Sequence, residues 1–173
     1  MSHLESSLNP TGEDGRQRVG TYRALPDDLM QWVLAPENFR AAWKRVKSNK
    51  GAPGIDGVTI AEFPAHAREH WPGIRDQLTN GSYHPQAVRR VAIPKRGGGE
   101  RLLGIPTICD RVIQQAISQV LTPFLDPDFS GFSFGFRPRR NAHMAVRQIQ
   151  GYLRAGFRWA VDIDLAKFLD RSP

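Results

Sequence analysis

Apolar residues first recur at helical spacing after Pro26-Asp27-Asp28, where Leu29, Met30, Val33 and Leu34 follow two acids suited to a first helical turn. A second helix is expected after Pro36. It sets Phe39, Trp43 and Val46 at i, i+4 and i+7, with Arg40, Lys44, Arg45 and Lys47 largely on the other side and Lys50 beyond. A third helical stretch covers 59–78 and is expected to break at Pro64 and again at Trp71-Pro72. From Asp110, the residues Val112, Ile113, Ala116, Ile117, Val120 and Leu121 form a core stripe that Pro123 should end. Asn141 is placed to cap a last helix carrying Met144, Ala145, Ile149, Tyr152 and Leu153, with Gly156 as its stop.

Two runs follow a different period. VRRVAIPK, three glycines and ERLLGIP read as a β-hairpin within 87–107. With the turn centred on Gly98, Arg96 faces Glu100 and Lys95 faces Arg101. Like charges directly opposite each other are unfavourable, so the second pair either straddles a phosphate or carboxylate or splays into water. Residues 157–165 also have strand character, with Asp162 and Asp164 on one face. Those acids are either surface groups or ligands for Mg²⁺. Between the helices, residues 51–57 (GAPGIDG) exclude regular structure, and their glycines match neither a P-loop nor a dinucleotide fingerprint.

The 173 residues suffice for a domain with its own core, and 40% hydrophobic with 24% charged residues is an ordinary globular composition. Residues 1–25 show no apolar period and read as a disordered lead-in. No stretch approaches the ~20 apolar residues of a membrane span, which points to a cytoplasmic protein. A single cysteine, Cys109, excludes an internal disulfide and any multi-cysteine zinc site. The net charge of +7 favours a polyanionic partner, and Arg137, Arg139, Arg140, Arg147, Arg154 and Arg158 follow one another without an intervening acid. A solvated face is the alternative for that segment. Just before it, Phe124, Phe129, Phe132, Phe134 and Phe136 alternate with glycines, a mixture that stacks bases or anchors a loop.

Four ordered blocks, NKGAPGIDGVTIAEF, YHPQAVRRVAIPKRGGGERLLGIPTICDRVIQQAI, SGFSFGFRPRRNAHMAV and WAVDIDLAKFLD, closely resemble the leading part of bacterial group II intron reverse transcriptase/maturases. The resemblance covers about 29–170. It implies an α+β fold, a right-hand polymerase whose fingers, with helices and a β-hairpin, occupy 26–156 and whose palm begins with a strand in 157–173. It also implies RNA-templated addition of dNTPs to a primer 3′-OH, with a second role in folding the host intron RNA.

Carried over by position, Asp164 resembles the first catalytic aspartate, a ligand of two Mg²⁺ ions, and Lys95 and Arg101 resemble the residues that hold the dNTP triphosphate. Lys44, Lys47 and Lys50, the 51–57 loop, and Arg137, Arg139 and Arg140 would contact template or intron RNA, with Phe134, Gly135, Phe136 and Pro138 shaping the template side. Leu169 stands beside the nucleotide sugar where the family normally has a second phenylalanine. The Asp-Asp hairpin that completes the family's metal site is missing from these residues. The expectation is therefore a truncated relative with an incomplete palm, inactive alone and prone to associate through an unpaired palm strand. The alternatives are a non-catalytic RNA-binding module that recognises intron RNA, and a decayed reading frame.

Overall fold

The computed structural model describes residues 25–164, so most of the lead-in and the segment 165–173, with Leu169, lie outside the described residues. The chain forms two compact units, one ending at Asp128 and the other beginning at Phe129. This division does not coincide with the 156/157 boundary implied by the family resemblance.

The first unit contains α1 (Leu29–Val33), α2 (Pro36–Ser48), α3 (Phe63–Asn80), β1 (Arg89–Pro94), β2 (Glu100–Ile105) and α4 (Ile108–Leu125), followed by a 3₁₀ turn, Asp126–Asp128. Its architecture is mixed, helices with one two-stranded antiparallel sheet. The core is built around α4, which gives Ile108, Val112, Ile113 and Ala116 to it. Helix α2 packs most extensively on α4 and adds Ala42 and Val46. Ala42 and Ala116 are both fully buried, and their small side chains allow the close approach of the helices. Asn38 links three elements by donating to the carbonyls of Val33 (2.9 Å) and Ala116 (3.1 Å), while Gln119 donates back to its side-chain oxygen at 2.7 Å.

Prolines do less damage to these helices than the sequence suggests. Helix α3 is continuous: Pro64 falls in its first turn, where a missing N–H costs nothing, and Pro72 is carried within it. The turn before α3 is set by a reciprocal pair, in which the Thr59 N–H and hydroxyl both donate to Glu62 and the Glu62 N–H donates to Thr59 Oγ1. These bonds hold the Glu62 carboxyl below its ordinary range, the Thr59 hydroxyl contributing most. Helix α4 likewise continues through Pro123 to Leu125, past the expected stop.

The hairpin forms, but in a different register. Gly98 donates to the Lys95 carbonyl (3.2 Å) and Lys95 to that of Gly99 (3.0 Å), which makes a three-residue loop centred on Gly97. Gly98 takes φ +89° there, the left-handed conformation this loop needs and glycine supplies without strain. Ile93 therefore pairs with Arg101 and Pro94 with Glu100, so neither Lys95–Arg101 nor Arg96–Glu100 is a directly opposed pair.

The second unit holds α5 (Ala142–Arg154), capped as expected by Asn141, whose side chain accepts the Met144 N–H at 3.1 Å. No residue of α5 is buried. The strand expected over 157–165 is not formed in its described part: residues 157–164 are irregular and exposed, because no described segment offers a ladder to pair with. The proposed association through a palm strand accordingly has no strand to act through among the described residues. No helix there is long and apolar enough to cross a membrane.

Candidate nucleotide and nucleic-acid site

The hairpin is attached to the core by a buried polar cluster at the start of α4. Thr107 caps that helix by accepting the Asp110 N–H at 3.1 Å, and its hydroxyl donates to Asp110 at 2.7 Å. Asp110, only 2% exposed, also accepts from the Tyr83 hydroxyl (2.7 Å) and the Gln86 N–H (3.2 Å). One carboxyl group thus fixes the segment entering β1 to the helix that leaves β2. Burial, with the bond to Asp110 behind it, keeps the Tyr83 phenol well above its usual range. Burial likewise pushes the Cys109 thiol up to about 11, which leaves it protonated at neutral pH.

The glycine-rich loop is anchored at the same place. Gly54 is buried against Thr107, so closely that a Cβ would lie 2.6 Å from the Thr107 Cα. Arg111 donates to the Ala52 carbonyl at 2.6 Å, and Arg89 to that of Pro53 at 3.0 Å. Much of the loop's glycine content is therefore explained by packing, while Ile55 is left exposed at its tip.

On this base Lys95 and Arg101 are both exposed. Since Lys95 bonds across to Gly99, two residues from Arg101, alternation puts the two cations on one face of the ribbon as diagonal neighbours. Such neighbours are about 7–8 Å apart, within reach of two long side chains. The like-charge opposition expected from the sequence is absent, while the shared face remains.

The basic residues divide. Lys44 and Lys47 are exposed on α2 and Lys50 just past its end, at φ +49°; none of the three side chains has a hydrogen bond or ion pair to another described residue. In the second unit, Arg137 donates to the carbonyls of Ser130 (2.7 Å) and Ser133 (3.3 Å) and lies over the Phe129 ring at 5.3 Å. Arg140 donates to the Gly131 carbonyl and lies over Phe134, also at 5.3 Å. Both guanidiniums hold their own loop, whereas Arg139 is exposed at φ +59°.

Asp164 is exposed, and no group of three metal-ligating side chains exists among the described residues. Lys95 and Arg101 belong to the first unit, Asp164 to the second.

Reasoning from the sequence missed the Asp110 cluster. Its signal was legible as Thr107-x-x-Asp110 ahead of an apolar run, a helix-start pattern, although nothing local announced the long-range partners Tyr83 and Gln86.

No family model matches the chain. Among characterised proteins it is 36% identical to protein YkfC of Escherichia coli over 148 residues, covering 82% of this chain and 39% of that protein. It is 35% identical over 143 residues to the group II intron-encoded protein LtrA of Lactococcus lactis, covering 82% of this chain and 24% of LtrA. The chain is a homologue of group II intron-encoded proteins. It spans about two fifths or less of these relatives. Of solved structures, a partial Cas6-RT-Cas1–Cas2 complex is similar at 22% identity and a TM-score of 0.47, over 82% of this chain and 22% of that one.

Proposed function

We infer that this chain supplies the nucleotide- and RNA-contacting fingers of an intron-encoded reverse transcriptase/maturase, with a palm beginning after α5. The observation that carries this reading is the pairing of Lys95 and Arg101 on one face of an exposed hairpin in a homologue of LtrA. In that role the two cations hold the triphosphate of an incoming dNTP, Arg101 by its fork and Lys95 as a point charge. Lys44, Lys47 and Lys50 lie against template or intron RNA, and Arg139 contributes from the second unit. Asp164 is one carboxylate of a Mg²⁺ site whose remaining ligands are not among the described residues. Such a site supplies charge neutralisation for phosphoryl transfer in the complete enzyme. The family resemblance assigns Leu169 the position beside the nucleotide sugar in this reading, and the setting is cytoplasmic.

The exposure of the α2 lysines favours a second reading, a non-catalytic module that retains intron RNA binding. Equilibrium binding of a fluorescent dNTP to the full chain, with Lys95→Ala and Arg101→Ala beside it, separates the two. Loss of binding by about tenfold or more in each variant supports the nucleotide site. Equal weak binding by all three proteins leaves the RNA module as the better reading. Incorporation of dNTPs on a primed RNA template by this chain favours the catalytic reading over the RNA module.

A further inference from the structure

The first unit contains a cavity of about 380 Å³ between α2, α3 and the start of α4, away from the hairpin residues discussed above. Its walls are aromatic. Phe39 and Trp71 have ring centroids 4.2 Å apart at 55°, and Trp43 and Phe63 are 4.8 Å apart at 39°, so none of these rings is covered by a parallel partner. Cys109 and Val112 close the floor, and the raised thiol pKa makes that floor an uncharged one. Arg40 and Arg68 also line the cavity, and no acid does. Arg40, whose Nε donates to the Pro36 carbonyl at 3.2 Å, and Arg68 are both exposed at the rim. A flat ring attached to an anion meets the aromatic walls and these rim cations together, which a purely apolar occupant does not.

The identity of the anion follows from the helix. Arg40, Lys44 and Lys47 stand at i, i+4 and i+7 on α2 and form one exposed row, so the basic face assigned to RNA runs directly to the mouth of the cavity. We propose that this cavity receives one unpaired nucleobase of single-stranded RNA, stacked against Trp71 and its neighbouring rings, with the adjoining phosphates on Arg40 and Arg68. The proposal rests on the RNA-binding reading above and adds a preference that charge alone does not give, for single strands over duplex.

The full chain is titrated with a short single-stranded RNA carrying one 2-aminopurine, and with the same RNA annealed into a duplex, over a salt series. Binding of the single strand is expected to quench the 2-aminopurine, and the duplex to show no quenching. Trp71→Leu, which keeps an apolar wall, should lower single-strand affinity about tenfold with an unchanged salt slope, in keeping with the loss of one stacking ring. Arg68→Gln, an exposed position with little risk to folding, should lower the slope by about 1. RNA binding by the wild type without quenching, and unaffected by either variant, overturns the base pocket while leaving the RNA-binding reading in place. Failure of the wild type to bind any RNA overturns both. Self-association that Trp71→Leu abolishes, with RNA affinity unchanged, assigns the cavity to a second copy and likewise overturns the proposal.

Discussion

Lys44 and Lys47 project from a helix whose other side is packed into the core, whereas Arg137 and Arg140 turn back onto the carbonyls and phenylalanine rings of their own loop. In sequence the two sets look alike, each a basic cluster beside aromatic residues. The difference lies in how each region is held. The first unit has a buried core and a satisfied polar cluster, and the side chains of Lys44 and Lys47 take no part in either. The second buries no residue of α5 and uses arginine in place of a core. A charge run is therefore informative about a partner only once the backbone acceptors within its reach are known.

The contrast is broken most forcefully at Asp110. Asp110→Ala leaves the Tyr83 hydroxyl, the Thr107 hydroxyl and the Gln86 N–H without their acceptor, and should destabilise the first unit by about 3 kcal/mol. A thermal melt should then shift by about 10 °C for a chain of this size. A shift under about 2 °C would mean that the cluster does not carry the hairpin's attachment. Asn141→Ala, which removes the cap of α5, should cost about 1 kcal/mol locally and leave the main melting transition in place. Hydrogen exchange should report the loss in α5 amides alone, and a matching loss in α4 would deny that the regions are held separately.

The smallest effect concerns Cys109. Its folded pKa is raised to about 11, so the contribution of the protonated thiol is fully present below the ordinary thiol pKa and is lost as pH rises through the folded value. Stability should fall between about pH 9 and about 11 by at most about 1.4 kcal/mol per pH unit from this group. Cys109→Ala should remove that part of the slope. Thiol labelling of the native chain that is already rapid at pH 8 would contradict the burial argument.

Local pattern was enough to find α2, the hairpin, α4 and the cap at Asn141, because each depends on side-chain period or on a residue three or four positions away. Pattern misleads where a single residue is overridden by its surroundings. Pro72 and Pro123 do not end their helices, and the glycine loop closes on Gly97, not Gly98, which moves Arg101 opposite Ile93. Residues 157–164 have the composition of a strand, but a strand also needs a partner. The register that would oppose Lys95 to Arg101 does not occur, yet the two still share a face, since a shift of two residues preserves alternation. The aromatic cavity and the Asp110 cluster join residues far apart in the chain, and spacing alone does not reveal such contacts.

The most direct test compares the two basic regions for RNA binding over a salt series, using the full chain, a Lys44→Ala/Lys47→Ala/Lys50→Ala variant and an Arg137→Gln/Arg140→Gln variant. If the α2 cations are the ones available to phosphate, the lysine variant lowers the slope of log affinity against log salt by about 3, and the arginine variant lowers it by less than about 1. An arginine variant that loses as much slope as the lysine variant, or more, contradicts the division of labour described for the two regions.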